Sequence, residues 1–136
     1  MAREAEIVAD AREGRAVIGW KLDRGQRTEL LKAFPPKFAA AVADHVTLKA
    51  KVADDTPLPR ALPARIVARA DDGRGVEAMV VEIDGSSARP GGGTYHVTWS
   101  LGEGRRANES NDVLASRPWR RLDAPVALAL RPARFE

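Results

Sequence analysis

The feature that most constrains this chain is the tripeptide His-Val-Thr, which occurs at residues 45–47 and 96–98 and contains both histidines. Each copy lies in a stretch where polar and apolar residues alternate, a pattern typical of a β-strand with one buried face. Successive side chains of a strand point to opposite faces. Each copy therefore places an imidazole and a hydroxyl on one face and a valine on the other.

The same alternation predicts what each strand buries. In the first strand, predicted over residues 44–52, the polar face carries His45, Thr47, Lys49 and Lys51, and the buried face carries Val46, Leu48, Ala50 and Val52. In the second strand, the polar face carries His96, Thr98 and Ser100, and the buried face carries Tyr95, Val97, Trp99 and Leu101. We expect the two polar faces to meet at one site.

The rest of the chain mixes helices and strands without a regular β-α-β alternation. Residues 1–14 predict an N-terminal arm or short helix, and residues 15–136 a single domain. Further strands are predicted over residues 15–22, 64–70, 76–83 and 126–130, and helices over residues 24–33 and 108–115. This order favours an α+β fold with mostly antiparallel sheet.

Composition excludes several classes of site. The chain of 136 residues has no cysteine, which excludes disulfides, thiolate zinc sites and cysteine nucleophiles. No stretch approaches the length needed to cross a bilayer, and residues 1–14 have no apolar signal region, so we expect a cytoplasmic protein that does not contact membranes. The net charge of +3 is compatible with an anionic ligand.

Two imidazoles at one site predict acid–base chemistry. The ordinary pKa of histidine, about 6.5, lets one ring accept a proton while another donates one. Hydrolysis of a phosphodiester uses such a pair: one histidine, His45 or His96, deprotonates the attacking water and the other protonates the departing oxygen. Thr47 and Thr98 are then predicted to donate hydrogen bonds to the non-bridging phosphate oxygens.

Other residues are predicted to contact such a substrate. Lys49, or an arginine of the Arg105–Arg106 pair, would add charge-assisted hydrogen bonds to the anion. Trp20 is a candidate surface for a nucleobase. The glycine-rich stretch over residues 84–93 lacks the P-loop pattern, which favours a mobile loop over a phosphate cradle.

Three alternatives compete with this interpretation. A single His-x-Thr on a strand is more often a packed or surface histidine, although two copies that use both histidines favour a site. A two-histidine metal site is supported only by Asp44, because no other carboxylate lies near both copies at ligand spacing. Serine-hydrolase chemistry has little support, since neither histidine comes with a nucleophile elbow.

The paired motifs His45-Val-Thr-Leu48 and His96-Val-Thr-Trp99 resemble the signature of the 2H phosphoesterase superfamily, which is His-hydrophobic-Thr/Ser-hydrophobic. The flanking stretches at residues 19–22, 30–38 and 108–111 look like those of the small cyclic-phosphodiesterase-like proteins related to the C-terminal domain of fungal and plant-type tRNA ligases. The resemblance covers roughly residues 17–130.

The resemblance implies a two-lobed 2H phosphoesterase fold, with one motif in each lobe and mostly antiparallel sheets flanking a central cleft. It implies a hydrolase that opens a 2′,3′-cyclic phosphate at an RNA or nucleotide end, in RNA processing, with no metal or other cofactor. His45 and His96 would be the acid and base, in an order that the match leaves open, and Thr47 and Thr98 the phosphate ligands. The alternatives are another small cyclic nucleotide, an ADP-ribose cyclic phosphate, or a module that binds RNA ends without turnover.

Overall fold

A computed structural model of the chain describes residues 14–135. The elements are β1 (Ala16–Leu22), α1 (Arg24–Ala33), β2 (Ala40–Ala41), β3 (His45–Val52), β4 (Ala64–Asp71), β5 (Val76–Ile83), β6 (His96–Leu101), a 3₁₀ turn (Ala107–Glu109), α2 (Ser110–Ser116), β7 (Arg120–Leu128) and β8 (Leu130–Phe135). The arm or short helix predicted over residues 1–14 lies, apart from Gly14, outside the described residues.

The strands form two antiparallel sheets, which confirms the predicted α+β class. One sheet has three strands in the order β3-β1-β8, and the other has five in the order β2-β6-β5-β4-β7. The first His-Val-Thr tripeptide is in the small sheet and the second is in the large one. Within residues 14–135 no helix combines the length and the apolar character that a membrane span requires.

The main core contains side chains from both sheets. Trp20 of β1 and Val46 of β3 pack in one cluster with Met79, Val97 and Trp99 of the large sheet, and all five are at most 2% exposed. A second cluster forms where Val113 and Leu114 of α2 cover the opposite face of the large sheet. Val46, Val97 and Trp99 are thus buried as the alternation predicted.

Local signals account for α1. The Asp23 carboxylate accepts a hydrogen bond from the Gln26 amide at 2.9 Å, which satisfies one of the free amides at the start of the helix. Pro35 and Pro36 follow the end of the helix, where proline has no amide to continue it. The observed helix has the predicted bounds.

The end of the chain differs from the prediction. One strand was predicted over residues 126–130, but β7 and β8 are two strands in different sheets, and the chain crosses between them at Ala129. Each is the edge strand of its sheet. Arginines and Pro125 weaken the local strand signal of β7, yet edge strands tolerate both charge and proline.

Bulges change the predicted alternation in both histidine strands. Opposite β1, Thr47 pairs with Gly19 and Lys49 pairs with Ile18, so Leu48 has no partner and is only half-buried. Ala50, predicted to be buried, is exposed after this bulge. An extra residue in a strand shifts the following side chains to other faces.

In β6 the bulge falls at Trp99, between the pairs that Thr98 and Ser100 make with β5. Leu101 therefore packs with the α2 cluster rather than with Val97 and Trp99 as predicted. Ser100 is fully buried and donates to the Glu77 carboxylate at 2.7 Å. It takes no part in the polar site that the alternation assigned to it.

Residues 37–44, which we call the connecting segment, run from the edge of the large sheet into β3. The buried Glu77 carboxylate accepts the Lys37 amide at 2.9 Å, and the Ser100 hydroxyl accepts the Phe38 amide at 3.1 Å. Further along, the Val42 and Ala43 amides donate to the carbonyls of Trp99 and Thr98, each at 2.9 Å. The segment is therefore bonded along β6 until just before His45.

Candidate functional site

A cleft of about 480 Å³ lies between β3 of the small sheet and β6 of the large one. His45 and Thr47 line it from β3, and His96 and Thr98 line it from β6. The structure therefore brings together all four residues of the two His-x-Thr pairs. The two pairs line the cleft from different sheets, since β3 and β6 are not hydrogen-bonded neighbours.

The connecting segment sets the separation of the two motifs. The Ala43 amide is bonded to the Thr98 carbonyl at 2.9 Å, and His45 follows only two residues later. Two residues span at most about 7 Å, so the His45 backbone stays close to β6. Arg27 of α1 reinforces this placement by donating to the Ala43 carbonyl at 3.0 Å.

His45 is held by an acid and by an aromatic ring. Its Nδ1 lies 3.0 Å from the Asp44 carboxylate, and because a carboxylate only accepts, Nδ1 is the donor. The Phe135 ring lies 4.4 Å from the imidazole, centroid to centroid, at an interplanar angle of 32°. These contacts leave Nε2 as the ring nitrogen available to a ligand in the cleft.

Asp44 is charged in this setting. Burial opposes its ionisation, but the hydrogen bond from His45 and the positive charges of Lys21 and Arg24 outweigh that cost, so the pKa of Asp44 lies below its ordinary value. Arg24 is bonded to the same carboxylate at 3.0 Å. A charged carboxylate beside an imidazole stabilises the protonated ring.

His96 lies in a different environment. It is 8% exposed, and its Nδ1 donates to the Thr94 carbonyl at 2.8 Å. Burial holds the pKa of His96 below its ordinary value; the charges of Arg89 and His45 act in the same direction, while the bond to Thr94 opposes them. His96 is thus neutral at neutral pH, with an unprotonated Nε2.

The two threonines also differ in burial and in hydrogen bonding. Thr98 is 8% exposed, its hydroxyl lies 2.9 Å from that of Ser110, and it donates weakly to the Ala107 carbonyl at 3.3 Å. The Thr47 hydroxyl has no hydrogen-bond partner among the residues described here. Ser110 lies in the stretch 108–111 that the resemblance singled out, which is the sequence signal that points to it.

Further cleft residues come from loops that the motif analysis did not assign. Arg89, Gly91 and Gly92 of the 84–93 loop lie at the cleft, as do Asn108 of the 3₁₀ turn and Asn111 of α2. Phe135 lies at the end of β8, 39 residues after His96, and no local pattern connects it to the motifs. Only long-range packing brings these groups together.

Of the predicted substrate contacts, Lys49 alone lines the cleft. Trp20 is 2% exposed and its indole donates to the Arg60 carbonyl, so it is a core residue and offers no surface for a base. Arg105 forms ion pairs with Asp72 and Glu109, both at 2.8 Å. Arg106, beside the 3₁₀ turn, does not line the cleft either. We therefore correct the prediction for these three residues.

Gly19 lets β1 and β3 approach closely where Thr47 is presented. A Cβ at Gly19 would lie 2.1 Å from the Val46 carbonyl oxygen and 3.0 Å from the Thr47 Cα. Gly19→Ala should therefore separate the strands and lower the free energy of unfolding by about 1–3 kcal/mol, measured by urea denaturation. Gly25→Ala in α1, where the nearest atom is the Asp23 carboxylate at 3.4 Å, is the control and should not destabilise the fold. Equal stability of the two variants would contradict this account of Gly19.

Within residues 14–135 no three side chains of His, Asp or Glu form a group that could hold a metal ion. A scan against protein-family models and searches of curated proteins and of solved structures return no match to this chain. The residues of the cleft and their geometry are therefore the basis for inferring the function of this chain.

Proposed function

We propose that this protein hydrolyses a 2′,3′-cyclic phosphate at an RNA or nucleotide end, without a metal ion, through an acid–base pair of His45 and His96. The observation that carries the proposal is that both imidazoles line one cleft and use Nδ1 for a bond within the protein. Both Nε2 atoms are thereby available to one substrate. Two sheets that each carry one motif also agree with the 2H phosphoesterase fold that the resemblance implies.

The different surroundings of the two rings favour one assignment of roles. His96 is kept neutral by burial, so its Nε2 serves as the general base that removes a proton from the attacking water. His45 is paired with the charged Asp44, which stabilises the imidazolium, so its Nε2 serves as the general acid. The resemblance alone left this order open.

The reaction then balances as follows. Water attacks phosphorus while its proton passes to His96, and one ribose oxygen leaves with the proton of His45. The P–O bond to that oxygen breaks, the ring opens, and a phosphomonoester remains on the other ribose oxygen. Exchange of protons with solvent restores both histidines. The hydroxyls of Thr47 and Thr98 donate to the non-bridging oxygens as charge develops on them.

Thr98 is prepared for this role by its neighbour. The Ser110 hydroxyl lies within hydrogen-bond distance of Thr98 and can donate to it, which leaves the Thr98 proton free to turn from the long contact with the Ala107 carbonyl to a phosphate oxygen. Replacing a 3.3 Å hydrogen bond by one to a charged oxygen is favourable, because charge-assisted hydrogen bonds are the stronger ones.

Turnover of a panel of 2′,3′-cyclic nucleotides, cyclic-phosphate RNA oligomers and ADP-ribose cyclic phosphate, with EDTA present, tests the proposal. We expect ring opening of at least one RNA-type substrate. Turnover restricted to the ADP-ribose compound or another cyclic nucleotide would change the substrate class. Tight binding without any turnover would replace the enzyme with a module that recognises RNA ends.

The pH dependence tests the pair itself. Since His96 must be neutral and His45 protonated, kcat/KM should follow a bell-shaped curve set by the two coupled ionisations. The acid limb should lie below the ordinary imidazole value of about 6.5, because the pKa of His96 is lowered. Activity should be unchanged in EDTA. A rate that rises to an alkaline plateau and disappears on chelation would instead indicate a metal-bound hydroxide.

A further inference from the structure

Arg89 is the one arginine among the described residues that line the cleft. It lies in the glycine-rich loop, seven residues before His96, and its charge acts on that imidazole. The sequence predicted the anion contact at Lys49 or at the Arg105–Arg106 pair instead. Arg89 is therefore a cationic group of the cleft that has no role in the two-histidine mechanism.

Neutral partners hold Arg89 in place. Its Nε donates to the Gly92 carbonyl at 3.2 Å, and its Nη2 donates to the Asn111 side-chain oxygen at 3.1 Å. The backbone of the same residue closes the loop, since its amide donates to the Gly93 carbonyl at 3.1 Å and its carbonyl accepts the Gly92 amide at 3.0 Å. The side chain is thus positioned before any ligand binds.

The charge of Arg89 is not neutralised by these contacts. Within residues 14–135 no carboxylate lies within ion-pair distance of its guanidinium, whereas Arg105 is paired with both Asp72 and Glu109. A guanidinium has five N–H donors, and the described contacts of Arg89 use two of them. An uncompensated, preorganised guanidinium suits a phosphate, which accepts two parallel hydrogen bonds from it.

We propose that Arg89 binds the phosphate of the substrate beside His96, with the glycine-rich loop and Asn111 as the supports that aim its guanidinium. This inference rests on the proposed function, because it takes the ligand of the cleft to be a phosphate ester. It assigns to Arg89 an anion contact that the sequence predicted at Lys49 or at the Arg105–Arg106 pair.

Gly93 supplies an independent test of the placement. Its φ is +88°, and a Cβ there would lie 2.8 Å from Nη2 of Arg89. Gly85 has nearly the same φ, +87°, but an added Cβ would meet nothing within 4 Å. Alanine at either position carries a similar backbone strain. Only Gly93→Ala should displace the guanidinium.

The first experiment titrates inorganic phosphate into the protein and follows the imidazole resonances by NMR, where only two histidines contribute. Arg89→Gln should weaken phosphate binding at least about tenfold, the effect of losing one charge-assisted hydrogen bond. It should also raise the midpoint of the His96 titration, because the positive charges of Arg89 and His45 both lower the pKa of His96 and the substitution removes one of them. Arg89→Lys should keep the His96 midpoint and bind phosphate with intermediate affinity.

The second experiment compares the glycine variants. Gly93→Ala should weaken phosphate binding as Arg89→Gln does, while Gly85→Ala should bind phosphate like the unchanged protein. Unaltered phosphate affinity in Arg89→Gln, or an equal loss of phosphate affinity in the two glycine variants, would overturn the proposal. The phosphate titration needs no turnover, so a protein that binds phosphate through Arg89 but opens no cyclic phosphate would refute the proposed function and not the site.

Discussion

His45→Ala and His96→Ala are each expected to lower kcat/KM on a 2′,3′-cyclic phosphate by about 10²- to 10⁴-fold, the usual contribution of a general acid or base. In the proposed mechanism each ring makes a proton transfer at Nε2 that water in the cleft cannot replace at the same geometry. The measurement is steady-state turnover of the best substrate from the panel, with circular dichroism to show that the fold is retained.

The effects of the two histidine substitutions on kcat/KM should not be additive. If the histidines act as a pair, kcat/KM of the double variant should be little lower than that of the less active single variant, as for residues that act as one unit. Asp44→Asn is the companion variant: it keeps a side chain that can accept from Nδ1 but removes the charge that stabilises the imidazolium. It should lower kcat/KM, because the negative charge beside the proposed general acid is lost. Turnover retained in either histidine variant would contradict the mechanism.

Glu77→Ala is expected to lower the free energy of unfolding by about 3–5 kcal/mol, the cost of breaking a buried ion pair. Glu77 is 1% exposed, and its carboxylate accepts from Arg69 at 2.8 Å, from the Ser100 hydroxyl and from the Lys37 amide. Removing it leaves these donors without their acceptor. Urea denaturation followed by tryptophan fluorescence measures the change.

Glu82→Ala provides a matched control. Glu82 lies on the same strand and pairs with Arg65 at 2.9 Å, but that arginine side chain is 54% exposed. An exposed pair contributes at most about 1 kcal/mol, so this variant should remain close to the unchanged protein. Similar decreases in the free energy of unfolding for Glu77→Ala and Glu82→Ala would contradict the stabilising role of the buried hydrogen bonds of Glu77.

Local signals in the sequence predicted much of the fold. Asp23 and the two prolines after residue 34 define α1 because capping and the missing proline amide act within a few residues. The alternation around Val46 and Val97 correctly predicted buried valines, since a strand of either sheet must bury one face. The same alternation does not locate the bulges at Leu48 and Trp99, because a bulge depends on the register of a partner strand.

The residues of the candidate site were likewise predicted only in part from the sequence. The sequence by itself determined that His45, Thr47, His96 and Thr98 belong together, because the repeated tripeptide places the same chemistry on one face of two strands. Only the tertiary structure decided which charged side chains lie near these four residues. Arg105 forms an ion pair with Asp72, 33 residues away, whereas Arg89 forms no ion pair with any described carboxylate. Strand faces follow from a period of two along the chain, whereas the pairing of charges depends on which distant loops the packing of the two sheets brings together.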